Sequence, residues 1–252
     1  MNSIYKVNVK MKKSFPTAAF FDLDDTILGT TACSNECWKL LSEEYTPKIH
    51  LKGHVNITSE KIVKAINDFR LWFWSDANRN RSGRLNPEQA LFETIKGGLE
   101  ILGIKDLEMA ESMSNKWDDM RWSKLKPLPN AIDALNKFKM AGVKLALITN
   151  GNAQIQSRKV QLLELETLMD HVQIEGEFGV GKPDPAAYLN ALKMLNVSPE
   201  ETWMAGDNIE FDVIAPMKLG IYGIWVDTNE IGLESQNGLT PDLVVESIAE
   251  LV

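Results

Sequence analysis

Asp22, Asp24 and Thr26 stand at i, i+2 and i+4, where the apolar run Thr17 to Leu23 (TAAFFDL) turns acidic. On an extended segment that spacing points all three side chains to one side. Two carboxylates held so close repel each other, and a fold keeps them together only with a cation or a shared proton. The alternative is a solvated acidic turn in which Asp-Asp-Thr caps a helix. Further chemistry-bearing residues follow. Thr149 and Asn150 end the run Val143 to Ile148, Lys182 sits in Gly-Lys-Pro-Asp-Pro, and Asp207 and Asp212 follow Thr202 to Gly206. Each also has a plain structural reading: Thr149 as a turn residue, Lys182 as a surface lysine in a Gly-Pro loop, and the two acids as helix caps.

The elements that must position these residues follow from the apolar pattern. Short runs at Thr17 to Leu23, Val143 to Ile148, Val172 to Ile174, Thr202 to Ala205, Gly223 to Val226 and Leu243 to Val245 suit buried parallel strands. Helical patterns alternate with them at Asn130 to Ala141, Ile155 to Leu163, Pro185 to Leu195 and Ile209 to Leu219. This alternation predicts an α/β fold: a Rossmann-like three-layer core around a parallel sheet. Ligands of such sheets bind beyond the carboxyl ends of the strands, where four of the runs end in a polar or acidic residue. The stretch 29–128 reads as helices only, at Ala32 to Tyr45, around Ile62 to Phe73, Pro87 to Leu102 and Leu107 to Trp122. It is an all-helical insertion after the first strand. The core is then 15–28 with 129–252, preceded by an N-terminal arm, 1–14.

Phe20-Phe21-Asp22-Leu23-Asp24-Asp25-Thr26-Ile27-Leu28 resembles the first motif of the haloacid dehalogenase-like (HAD) hydrolase superfamily. Thr149 resembles the second, Lys182 in its Gly-Pro loop the third, and Gly206-Asp207-Asn208-Ile209-Glu210-Phe211-Asp212 the fourth. All four occur in order. The resemblance implies a phosphatase with Asp22 as nucleophile, Asp24 as general acid and base, and an aspartyl-phosphate intermediate. Thr149, Asn150 and Lys182 would bind the phosphate. Asp22, Asp207 and the main-chain carbonyl of Asp24 would hold magnesium (Mg2+), with Thr26 and Asp212 around them. The helical insertion resembles this superfamily's cap, which selects the substrate. The layout is most similar to the group of N-acylneuraminate-9-phosphatase and the pyrimidine 5′-nucleotidases, which implies sugar phosphates or nucleoside monophosphates. Asp24 argues against a 2-haloacid dehalogenase, whereas a phosphomutase shares the Asp-x-Asp pattern. A catalytically silent binding module is the non-enzyme alternative.

Composition sets further expectations. The chain has 252 residues, 44% of them hydrophobic, enough for one domain with a substantial insertion. Its net charge of −8 disfavours nucleic acid and acidic membranes as partners. No run is long enough to span a bilayer, and no secretory signal opens the chain. The expected partner is a small phosphomonoester, and the expected state a cytoplasmic monomer or homodimer. Cys33 and Cys37 are too few for a zinc site and read as reduced residues sharing a helix face. In the insertion, Phe69 to Arg84 reads as an amphipathic aromatic helix followed by a polar loop. Its arginines (Arg70, Arg79, Arg81, Arg84) would pair with the insertion's own acids, or one or two would meet a second anion on the substrate while a tryptophan stacks on its ring. His50 and His54 read as loop residues, His171 as preceding a strand, and none has a catalytic role.

Overall fold

A computed structural model describes residues 14–233 and 240–252. All but Ser14 of the expected N-terminal arm lies outside the described residues. The chain divides into two compact units, one formed by the segment up to Leu28 with Pro127–Val252, the other by Gly29–Lys126.

The first unit carries six parallel strands: β1 (Ala18–Phe21), β2 (Lys144–Thr149), β3 (His171–Ile174), β4 (Thr202–Gly206), β5 (Tyr222–Val226) and β6 (Leu243–Val245), in the order β3-β2-β1-β4-β5-β6. Because β1 pairs with both β2 and β4, the chain winds outward on one side and then restarts at the centre. The switch point of the sheet is therefore the β1–β4 border, where such folds place their ligands. Strand alternation explains the layers. Phe20 on β1 packs with Ala146, Ile148 and Met204 against Ala187, Tyr188, Ala191 and Leu192 of the helix Pro185–Leu195. Its neighbour Phe21 points the other way, its ring 5.6 Å from that of Phe138 on the helix Ala131–Met140. Helices cover both faces, as period-two burial requires.

The second unit holds five helices, α1 (Thr30–Leu51), α2 (Ser59–Ser75), α3 (Ala77–Leu85), α4 (Pro87–Ile101) and α5 (Leu107–Lys124). The local causes are visible. Thr58, Asp76 and Asp106 each accept a main-chain N–H in the first turn of the helix they precede, and Pro87 opens α4. Three expectations need correction here. Residues 77–85 form a helix, because the Asp76 carboxylate caps the N–H groups of Asn78 and Arg79. His50 belongs to the last turn of α1, its ring nitrogen 2.7 Å from Ile57 O. The return to the core comes at Pro127 rather than 129, since Leu28 bridges Pro127 and Leu128 N donates to Ile27 O. Cys33 and Cys37 are buried and free on α1. No described helix is long and apolar enough to cross a membrane.

The remaining helices of the first unit are α6 (Ala131–Met140), α7 (Ala153–Leu162), α8 (Glu175–Phe178), α9 (Pro185–Leu195) and α10 (Ala215–Met217). The helix expected over 209–219 is instead a π-helical turn, Ile209–Ile214, followed by α10. His171 is the first residue of β3.

Candidate active site

Asp22 follows β1, and its N–H donates to Ala205 O on β4, which fixes the main chain at the switch point. Asp207 follows β4. The indole N–H of buried Trp225 holds its carbonyl at 2.8 Å. Asp212 sits on the π-helical turn, a widened geometry that recurs at functional sites. One carboxylate oxygen from each of Asp22, Asp207 and Asp212 lies within 4.8 Å of the other two. Lys182 Nζ lies 2.6 Å from Asp22 Oδ1 and 2.6 Å from Asp212 Oδ1, and is 3% exposed. Three acids, of which Asp207 is half-buried, thus share a small space with one ammonium, so that carboxylates outnumber cations.

Burial first, and then the neighbouring charges, shift the titration of these groups. Burial raises the pKa of Asp22; Lys182 opposes the rise, and Asp212 and Asp24 add to it. Burial also raises that of Asp207, and the charges of Asp22 and Asp212 push further. Burial disfavours the ammonium of Lys182, but Asp212 and Asp22 outweigh it, and its pKa is raised.

Asp212 is held on both oxygens, Oδ1 by Lys182 and Oδ2 by Asn208 N at 3.1 Å. Neither Asp207 nor Asp212 caps the turn through its side chain; Asn208 does, accepting from Phe211 N at 3.0 Å. Gly206 explains how Asp212 fits, because a Cβ there would lie 2.4 Å from its carboxyl carbon. Gly206→Ala is expected to displace Asp212 and cost about 1–3 kcal/mol by overpacking, measured by denaturant unfolding.

Asp24 does not join the triad of acids. Its carboxylate accepts from Lys159 Nζ at 2.7 and 2.8 Å and from Gln156 Nε2 at 3.0 Å, both on α7. The extended geometry expected from Asp22 to Thr26 is a correction: the chain folds into a turn. Asp25 is left-handed (φ 58°), and Ile27 N and Leu28 N both donate to Leu23 O. The i, i+2, i+4 spacing therefore does not align three side chains. The Thr26 hydroxyl is buried, and no described residue hydrogen-bonds to it.

Thr149 ends β2, buried, its Oγ1 accepting from Gln156 Nε2 at 2.6 Å. Asn150 is committed to the chain itself: it donates to Lys182 O at 2.7 Å and accepts from Lys182 N at 2.8 Å. This pairing splints the lysine loop, so Asn150 positions Lys182. A further strand-end acid, Asp227 behind β5, turns away and accepts from Ile231 N and Gly232 N. Gln156 and Lys159 escaped the sequence reading. The available signal was their i, i+3 spacing on the helix after Thr149.

In the helical unit, Arg79 donates to the carbonyls of Phe73 and Trp72 and stacks 4.1 Å from the Trp72 ring. Arg70 and Arg84 donate to the amide oxygens of Asn67 and Asn80. In these contacts the arginines serve carbonyl and amide oxygens and a ring.

Comparison with known proteins agrees with this geometry. The chain is 28% identical to human N-acylneuraminate-9-phosphatase over 251 residues, covering 93% of this chain and 91% of that one. It is 37% identical to phosphoserine phosphatase of Thermus thermophilus over 124 residues, 49% of each chain. Its fold matches the magnesium-bound HAD-hydrolase YfnB of Bacillus subtilis with a TM-score of 0.72 at 17% identity, over 94% of this chain and 97% of that one. The haloacid dehalogenase-like hydrolase family model matches residues 16–220. With its parallel sheet, acid cluster and matching length, the chain belongs to the haloacid dehalogenase-like hydrolase family.

Proposed function

We propose that the chain is a magnesium-dependent phosphatase that hydrolyses small phosphomonoesters, sugar phosphates or nucleoside monophosphates, through an aspartyl-phosphate on Asp22. One observation carries this reading: Asp22, Asp207 and Asp212 converge at the switch point with Lys182 bridging two of them. The donor set fits a hard divalent cation, because three carboxylates with an uncompensated charge are all oxygen ligands. Asp22, Asp207 and the main-chain carbonyl of Asp24 would hold magnesium. Asp212, engaged on both oxygens, would support them from behind. When bound, the cation offsets the repulsion between an anionic ester and the attacking carboxylate.

Asp22 attacks phosphorus while Lys182 holds its Oδ1 and faces the charge that builds on the phosphoryl oxygens. The Thr149 hydroxyl donates to one of those oxygens. Asp24 protonates the leaving oxygen, then takes a proton from the water that opens the acyl phosphate. The helical unit, inserted directly after Leu28, would select the leaving group. The names of the similar phosphatases support substrates with small polar leaving groups. The buried free cysteines support a cytoplasmic setting.

Phosphate release from sugar phosphates, nucleotides, phosphoserine and glyceraldehyde 3-phosphate, with magnesium and with chelator, tests the reading. Halide release from haloacetates without metal would replace it by dehalogenation, and transfer without net phosphate by a mutase. Silence across the panel would leave a binding module.

The raised carboxylates give a second expectation. Between the unfolded carboxylate value, about 4, and the raised folded values, the native state holds protons that the unfolded chain has released. In chelator, stability therefore falls as pH rises through that window. Magnesium is expected to raise the melting temperature more at pH 8 than at pH 5, read by thermal unfolding.

A further inference from the structure

Asp24 is held by a small buried network that the four motifs do not contain. Lys159 Nζ reaches both of its oxygens, and Gln156 Nε2 lies 3.0 Å from Asp24 Oδ2 and 2.6 Å from Thr149 Oγ1. Lys159 and Gln156 are 6% and 2% exposed, one turn apart on α7. Burying an ammonium and an amide on a helix face that could carry leucine is costly unless their partners require them.

The direction of each hydrogen bond is set by chemistry. The Gln156 amide presents its NH2 group to Asp24 Oδ2 at 3.0 Å, and a carboxyl oxygen there accepts it. The second N–H of that group then enters Thr149 Oγ1. The Thr149 proton is left to be donated elsewhere. One amide thus orients the acid and the polarity of the hydroxyl together, and Asn152, capping Ile155 N at 3.1 Å, anchors the start of the helix that carries it.

We propose that Lys159 and Gln156 are positioning residues: Lys159 aligns the Asp24 carboxyl group with the leaving oxygen, and Gln156 commits the Thr149 hydroxyl to donate to the phosphoryl group. The inference rests on the phosphatase reading above. In the step concerned, the bond from an Asp22 carboxylate oxygen to phosphorus forms as the bond from phosphorus to the leaving oxygen breaks; the leaving oxygen keeps the electron pair, and a proton carried by Asp24 moves onto it, leaving Asp24 ionised. A well-placed acid matters most when the leaving group is a poor one, an alkoxide, and least when it is p-nitrophenolate.

The test is kcat/KM for wild type, Lys159→Met, Lys159→Arg and Gln156→Glu on a series from p-nitrophenyl to alkyl phosphates. Lys159→Met is expected to lose about tenfold more on the alkyl than on the aryl esters, a share of the usual general-acid effect, and Lys159→Arg to recover most of that difference. Gln156→Glu, which accepts where the amide donated, is expected to lower kcat/KM across the whole series. A loss in Lys159→Met that is equal for all leaving groups, or no loss, overturns the alignment role. Unchanged kcat/KM in Gln156→Glu overturns the Thr149 role. If Lys159→Met does not fold, Lys159→Gln gives the same comparison. Wild type that hydrolyses no ester refutes the phosphatase reading instead.

Discussion

Asp22→Asn is expected to lower phosphate release by roughly 10⁴-fold or more, the scale seen when a nucleophile is removed. The side chain keeps its shape, and its amide oxygen can still accept from Lys182 Nζ, so the loop around it has no reason to move. What disappears is the anionic oxygen that, in the proposed mechanism, forms the bond to phosphorus. The variant also removes one of three crowded carboxylates. In chelator above neutral pH it should therefore melt no lower than wild type, because the pKa of Asp22 is already raised by burial and its acidic neighbours. Steady-state phosphate assays and thermal unfolding on the same preparation check both halves. A variant that is inactive because it is misfolded would fail the second.

Lys182→Met is the second large effect, and here activity and stability fall together. The ammonium is the cation shared by Asp22 and Asp212, at 2.6 Å from each. Without it, buried carboxylates are left unpaired, which costs about 3–5 kcal/mol in comparable buried pairs. In the proposed mechanism the same change removes the donor facing the transferring phosphoryl group, worth about 10²–10³ in kcat. The stability difference has a pH signature. At neutral pH wild type is favoured. As pH falls Asp22, whose pKa burial raises, takes up its proton, the wild-type lysine loses that ionic partner, and the gap between the proteins narrows. Denaturant unfolding at pH 5 and pH 8 reads this directly.

The strand ends were the most legible part of the sequence. A run such as Leu145–Ile148, all apolar and buried, leaves little choice but a central parallel strand, and the first polar residue behind it must emerge at the ligand edge. Local rules governed α9 as well, where Asp184 caps and Pro185 opens the first turn. Less was legible where the decisive partner is far away in the chain. Asp24 meets Gln156 and Lys159 across 132 and 135 residues. A buried lysine on a helix looks like a solvated one until the third dimension supplies its carboxylate. Asp25 hid a different cause, since a left-handed residue other than glycine has no signature in hydrophobic period. The polar stretch after Asp76 hid its helix because the Asp76 cap, rather than an apolar stripe, starts it.

The chain passes between the two units at Leu28–Gly29 and again at Lys126–Pro127. Leu28 bridges Pro127 within the sheet unit, and Gly29 N donates to Lys126 O within the helical unit. The two ends of the insertion are thus tied to each other, whatever lies between them. Loop-closure entropy grows only with the logarithm of length, so a longer or shorter insertion at this stapled junction changes little in the energetics of the sheet. Replacing the stretch between Gly29 and Lys126 by a different insertion at this junction is therefore expected to have little effect on the fold that holds the acids at the end of β1, which a thermal melt of the exchanged chain reads.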